Sequence, residues 1–177
     1  MLTYVLTAIG DDRPGLVSTL AAAVDDHGGS WVDSQLALLA GKFAGIVRVD
    51  LPEERAAGFL DALPGLAAGV GLQVEAAPAH PEDAADGAPA GTGLVLSLLG
   101  QDRTGMVREV TEALHSQGAT IDSLRSLTRE APEGGGVLFE AEAVVRLPEG
   151  ADASEVREAL EAIAAELMVD LDLDATA

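Results

Sequence analysis

The chain has 177 residues, 48% of them hydrophobic, with a mean hydropathy of +0.24, which is enough apolar material for a packed core and excludes a globally disordered protein. Aromatics are only 3%, so the core is expected to be Leu, Val, Ala and Ile, and the absence of cysteine excludes disulfides and thiolate chemistry. The formal net charge of −20 is spread over both halves, −9 over residues 1–90 (13 acidic, 4 basic) and −11 over residues 91–177 (17 acidic, 6 basic); such a field repels phosphate backbones, so direct nucleic-acid binding is not expected.

Leu2 to Ile9 is almost wholly apolar and β-prone and reads as a central strand. Pro14 and Gly15 open a helix in which Leu16, Val17, Leu20, Ala21 and Val24 recur at helical spacing, and Gly28-Gly29 stops it. Trp31 to Leu39 is a second strand, Gly41 falls at a hairpin turn, and Phe43, Val47, Val49 and Leu51 alternate along a third strand. Pro52-Glu53-Glu54 starts a second helix, acidic where the helix dipole favours acid, with Ala56, Phe59, Leu60 and Leu63 as its apolar stripe. Gly69 to Glu75 is expected as a last strand, with Val70, Leu72 and Val74 on one face.

After a stretch rich in Ala, Pro, Asp and Gly the order begins again. Leu94 to Leu99 is a strand, and Met106, Val107, Val110 and Leu114 line a helix that ends at Gly118. Ile121 to Thr128 pairs with Phe139 to Leu147 across a longer hairpin containing Gly134-Gly135-Gly136. Asp152 and Glu155 resemble a capping box ahead of the stripe Val156, Leu160, Ile163 and Leu167. Val169, Leu171 and Leu173 alternate with Asp170, Asp172 and Asp174 in a closing strand.

The order β-α-β-β-α-β therefore occurs twice, and each unit predicts a four-stranded antiparallel sheet with two helices on one face. The expected fold class is α+β: two tandem ferredoxin-like domains over residues 1–76 and 92–177, joined by a linker over 77–91. The helix-free face of each sheet must be polar or find a partner, so packing of sheets or helices on each other, within or between chains, is expected, with a homodimer as the natural form.

One motif appears in both units. Gly10-Asp11-Asp12-Arg13-Pro14-Gly15-Leu16-Val17 returns as Gly100-Gln101-Asp102-Arg103-Thr104-Gly105-Met106-Val107, each time between a central strand and the start of a helix. Amides of a first helical turn can receive an anion, and Gly15 and Gly105 let a carboxylate approach the backbone. Asp12 and Asp102 have two readings: acceptors for a ligand ammonium, or caps of their own helices. Likewise Arg13 and Arg103 either serve a ligand or pair with nearby acids.

The Asp-Arg-Pro-Gly turn inside a β-α-β-β-α-β unit resembles the ACT domain, a small-molecule sensing module usually specific for amino acids. The tandem layout resembles the glycine cleavage system transcriptional repressor family. The first copy carries much of the likeness, in Gly10 to Gly15, in His27-Gly28-Gly29-Ser30-Trp31-Val32-Asp33-Ser34, and in Lys42-Phe43-Ala44-Gly45-Ile46-Val47-Arg48-Val49. The resemblance implies a ligand held between the loop after the first strand and the start of the second strand, often against another ACT domain. It thereby picks Asp12, Arg13, Pro14, Gly15 and Asp33 in the first copy, and Asp102, Arg103, Gly105 and Asp122 in the second. The second copy departs from the pattern at Gln101 and Thr104.

The resemblance further implies a non-catalytic regulator that binds an amino acid such as glycine and modulates a partner protein, such as a DNA-binding regulator, without a cofactor. Two other readings stand beside it. One is a structural ACT pair without ligand. The other is a remnant of an ACT-containing enzyme such as formyltetrahydrofolate deformylase, in which a similar domain is followed by a catalytic one. Met1 to Val5 lacks the basic region of a secretory signal, and no apolar run approaches span length, so a cytoplasmic protein without membrane contact is expected.

Catalytic and metal constellations are not found in the sequence. His27, His80 and His115 have no His or Cys at zinc-like spacing. There is no Gly-x-Ser-x-Gly pattern, and Gly134-Gly135-Gly136 lacks the Lys and helix of a phosphate loop. Asp170, Asp172 and Asp174 read as a solvated strand face.

Overall fold

The computed structural model describes residues 1–79, 91–132 and 135–175. His80, Gly134 and most of the expected linker lie outside the described residues. The elements are β1 (Leu2–Asp11), α1 (Leu16–Asp26), β2 (Ser30–Leu39), β3 (Lys42–Leu51), α2 (Glu53–Val70) and β4 (Leu72–Pro78), then β5 (Thr92–Gln101), α3 (Met106–Ser116), β6 (Thr120–Glu130), β7 (Val137–Leu147), α4 (Ala153–Leu167) and β8 (Val169–Ala175). The chain divides into two compact units, residues 1–87 (unit 1) and 88–177 (unit 2). The sheet orders are β2-β3-β1-β4 and β6-β7-β5-β8, with every neighbouring pair antiparallel. This is the α+β, ferredoxin-like arrangement that the element order implied.

Strand alternation decides which face is covered. In unit 1, Leu6 and Ala8 of β1 and Val47, Val49 and Leu51 of β3 are buried against Leu16, Leu20 and Val24 of α1 and Ala56, Phe59 and Leu63 of α2. Their neighbours Thr7 and Ile9 are exposed on the other side. Unit 2 repeats this with Leu94, Leu96, Leu98, Ala143 and Val145 under Met106, Val110, Leu114, Val156 and Leu160. Each helix pair thus covers one sheet face only.

One expected element differs. The strand proposed over Gly69 to Glu75 begins only at Leu72, because α2 continues through Pro64 to Val70. Phe59 and Leu63 anchor the helix in the core on the N-terminal side of the proline, and Gly71, at φ 74°, ends it. Val70 therefore belongs to the helix rather than to the strand face.

The first glycine of each motif copy is explained by packing. A Cβ on Gly10 would stand 2.7 Å from the Gly71 carbonyl oxygen, and one on Gly100 would stand 2.3 Å from Val169 Cγ1. At this level the start of the last edge strand comes so close that a side chain on the central strand would clash.

Candidate functional site

The motif turn in unit 1 leaves β1 at Asp11 and enters α1 at Leu16. Asp12 N–H donates to Gly41 carbonyl (3.0 Å), which ties the turn to the β2–β3 hairpin. Gly15 is the N-cap, at φ 95° and ψ −1°, and no side chain caps the helix. That left-handed φ suits glycine and disfavours any residue with a Cβ. The first amide to find a helical acceptor is Thr19, on Gly15 carbonyl (2.9 Å). Among the described residues, the amides of Leu16, Val17 and Ser18 have no acceptor and the Asp12 carboxylate makes no hydrogen bond or ion pair. Capping therefore does not account for Asp12. Arg13 reaches toward the C-terminal end of α2, where its Nη1 lies 3.8 Å from the position of a Cβ on Gly71. The Lys42 ammonium bonds Asp11 and holds its carboxyl below the usual carboxylate range, with Arg13 adding a smaller pull. An open concavity of about 400 Å³ lies against the turn, the first residues of α1 and Phe43.

Unit 2 has the same backbone but a different occupant. Gly105 is again a left-handed N-cap, at φ 97°, without a side-chain cap, and Asp102 N–H donates to Val137 carbonyl (2.8 Å). Here Glu109, in the first turn of α3, curls back over the glycine. Its Oε1 would lie 3.1 Å from a Cβ on Gly105. Arg103 holds it, with Nη2 to Oε2 at 2.7 Å and Nη1 to Oε1 at 3.4 Å, and Arg108 adds a contact at 3.5 Å. The corresponding residue in unit 1 is Thr19. Gln101, in place of Asp11, donates instead to Gly135 carbonyl (3.0 Å). Thus a carboxylate of the chain itself stands over the turn in unit 2, and the turn in unit 1 is open. Reading the copies against each other, Gly15-Leu16-Val17-Ser18-Thr19 beside Gly105-Met106-Val107-Arg108-Glu109, carries this signal. Taking each copy separately does not find it.

Asp33 and Asp122 are placed away from their own turns. Asp33 pairs in register with Arg48, which stands beside Val5, six residues before the end of β1. At about 3.4 Å per residue, that is roughly 20 Å along the sheet from the motif turn. Asp33 lines a separate, small concavity on the helix-free face, and its Oδ1 accepts from Ser34 N–H (2.7 Å). The two aspartates also differ in register. A bulge separates Trp31 from Asp33 and Ile121 from Ser123, so Asp33 corresponds to Ser123, and Asp122 is the bulged residue, ion-paired to Arg146. Within one unit the structure brings together Asp12, Arg13, Pro14 and Gly15, or Asp102, Arg103 and Gly105, but neither strand aspartate.

Of the histidines, His27 has structural partners. His27 follows α1, donates through Nδ1 to Ala23 carbonyl (2.7 Å), and sets its ring edge-on to Phe59 at 5.7 Å between centroids. Among the described residues no group of His, Asp or Glu is arranged to hold a metal ion, and no helix is long and apolar enough to cross a membrane.

Residues 3–77 match the family model of the ACT domain. Over 99% of both chains this protein is similar to an unknown protein from Galdieria sulphuraria, with 29% identity and a TM-score of 0.79. It also shares the fold of a protein proposed to be a glycine cleavage system transcriptional repressor, with a TM-score of 0.72 and 19% identity, over 99% of this chain and 97% of that one. No curated protein matches this chain in sequence.

Proposed function

Starting from a chain whose first unit is an ACT domain and whose second unit repeats the fold, we propose a non-catalytic regulatory protein. It binds a small amino acid such as glycine at the unit 1 turn and passes that signal to a partner protein. The observation that carries this reading is the open turn: three unbonded first-turn amides on Leu16, Val17 and Ser18 beside the unpaired Asp12 carboxylate. A free amino acid needs donors for its carboxylate and an acceptor for its ammonium, and this turn offers both. Arg13 adds positive charge, and Pro14 fixes the turn in advance, so little order is lost on docking. Glu109 over the unit 2 turn supports the same chemistry, since it places a carboxylate where the reading puts the ligand's own.

Asp102, Arg103 and Gly105 then form a self-filled copy of the site. Asp33 and Asp122 enter the reading as residues presented to another ACT unit, of a second chain in a homodimer. The acidic surface favours a protein partner, such as a DNA-binding regulator, over nucleic acid itself, in a cytoplasmic setting. Thermal unfolding against a panel of amino acids tests the proposal. A small amino acid should raise the melting temperature of the wild type, and Asp12→Asn should remove most of that rise while leaving the ligand-free transition in place. A panel without effect would favour a structural ACT pair, and an equal rise in Asp12→Asn would move the site away from the turn.

A further inference from the structure

The helix-free face of the unit 2 sheet carries charge of opposite sign at its two edges. Arg125 stands on β6, and Asp170, Asp172 and Asp174 stand on β8 at the other edge. All four are exposed, and among the described residues none has a hydrogen-bond or ion-pair partner. Between them lies an open concavity of about 730 Å³.

The register places these charges level with each other. One row across the sheet reads Arg125, Glu142, Ser97, Asp172. The next reads Ser123, Val144, Val95, Asp174. A half-turn about an axis along the strands lays one such face on another. It keeps each row at its own level and reverses the order of strands, so β6 of one copy lies over β8 of the other. The first row then sets Arg125 against the partner's Asp172, and Glu142 against the partner's Ser97. The second sets Ser123 against the partner's Asp174, and Val144 against the partner's Val95. These two rows complement themselves when reversed, as an isologous interface demands, whereas the adjoining row, Leu127, Glu140, Leu99, Asp170, sets leucine against carboxylate. Faces stacked in this way pack about 10 Å apart, within reach of an arginine meeting an aspartate.

We infer that two copies of this chain pair through the helix-free faces of unit 2, about a twofold axis along the strands, with Arg125 opposite the partner's Asp172. This rests on the homodimer of the proposed function and names its surface. Both residues are exposed and unpaired within the unit, so their exchange leaves the fold intact, which circular dichroism verifies.

Sedimentation velocity at micromolar concentration tests it with wild type, Arg125→Asp, Asp172→Arg and an equimolar mixture of the two variants. The wild type should be a dimer. Each variant alone faces like charge with like at both contacts and should dimerise about tenfold more weakly or worse. The mixture should restore the dimer, because every contact again pairs Asp with Arg. A wild-type dimer that neither variant weakens, or variants that fail to recombine in the mixture, would overturn the surface proposed here. A wild-type monomer would overturn the homodimer itself.

Discussion

At the scale of single residues, the two motif copies differ in the side chain that stands over the turn. Thr19 leaves the α1 N-terminus open, and Glu109, held by Arg103, stands over that of α3. The glycine before each helix is required by its φ. A Cβ on Gly15 would meet nothing closer than Ser18 Oγ at 3.7 Å, so its cost is conformational alone. Gly15→Ala is expected to lower stability by roughly 1–2 kcal/mol in urea unfolding. Gly105→Ala should cost at least as much, because its Cβ also presses on Glu109. Two carboxyls should titrate low: Asp11, bonded by Lys42, and Asp152, which accepts from the Ser154 hydroxyl and amide at the start of α4. Their folded pKa values lie below the ordinary 3.8, so what they add to stability is present above that value and lost as pH falls through the lowered ones. Carboxyl chemical shifts should show Lys42→Gln returning Asp11 towards 3.8 and leaving Asp152 where it was.

Among the elements, α2 is the informative one. Phe59 has no solvent exposure and Leu63 has 4%, so the helix is held by its buried stripe rather than by its propensity. Phe59→Ala should destabilise unit 1 by about 3–5 kcal/mol, the usual range for truncating a buried aromatic. Pro64 removes a helical donor, and Pro64→Ala should stabilise by about 1 kcal/mol or more. Both are read in urea unfolding, and a Pro64→Ala protein of lower stability would contradict this.

The alternation of Phe139, Ala141, Ala143, Val145 and Leu147, and the helical stripes of α1 and α3, made the element order legible in the sequence. The end of α2 was not legible, because Pro64, Gly65 and Gly69 signal a break that the packing of Leu66 and Val70 against the core overrides. The turn was legible as the passage from a central strand into a helix, but the placement of Asp33 and Asp122 relative to it was not. The distance from Asp33 to Gly15 depends on strand register, which leaves no mark in the order of residues. The equivalence of Asp33 with Ser123 does leave one: the spacing that carries Gly15 to Gly105 and Gly28 to Gly118 carries Asp33 to Ser123, not to Asp122.

For the molecule as a whole, −20 spread over both units sets the class of partner. The purified protein should leave the mobility of a DNA fragment unchanged at physiological salt, and retention of the DNA would contradict that. On the proposed reading, an amino-acid signal reaches other macromolecules through protein contact. The central claim, that unit 1 receives a small amino acid at its turn and unit 2 holds Glu109 there instead, is tested most directly by titration calorimetry with glycine and related amino acids. The account predicts one site per wild-type chain. Thr19→Glu should weaken that site by about tenfold or more by bringing in the competing carboxylate. Glu109→Thr should open a second site in unit 2. No heat from any amino acid with the wild type, or unchanged binding in Thr19→Glu, would contradict it.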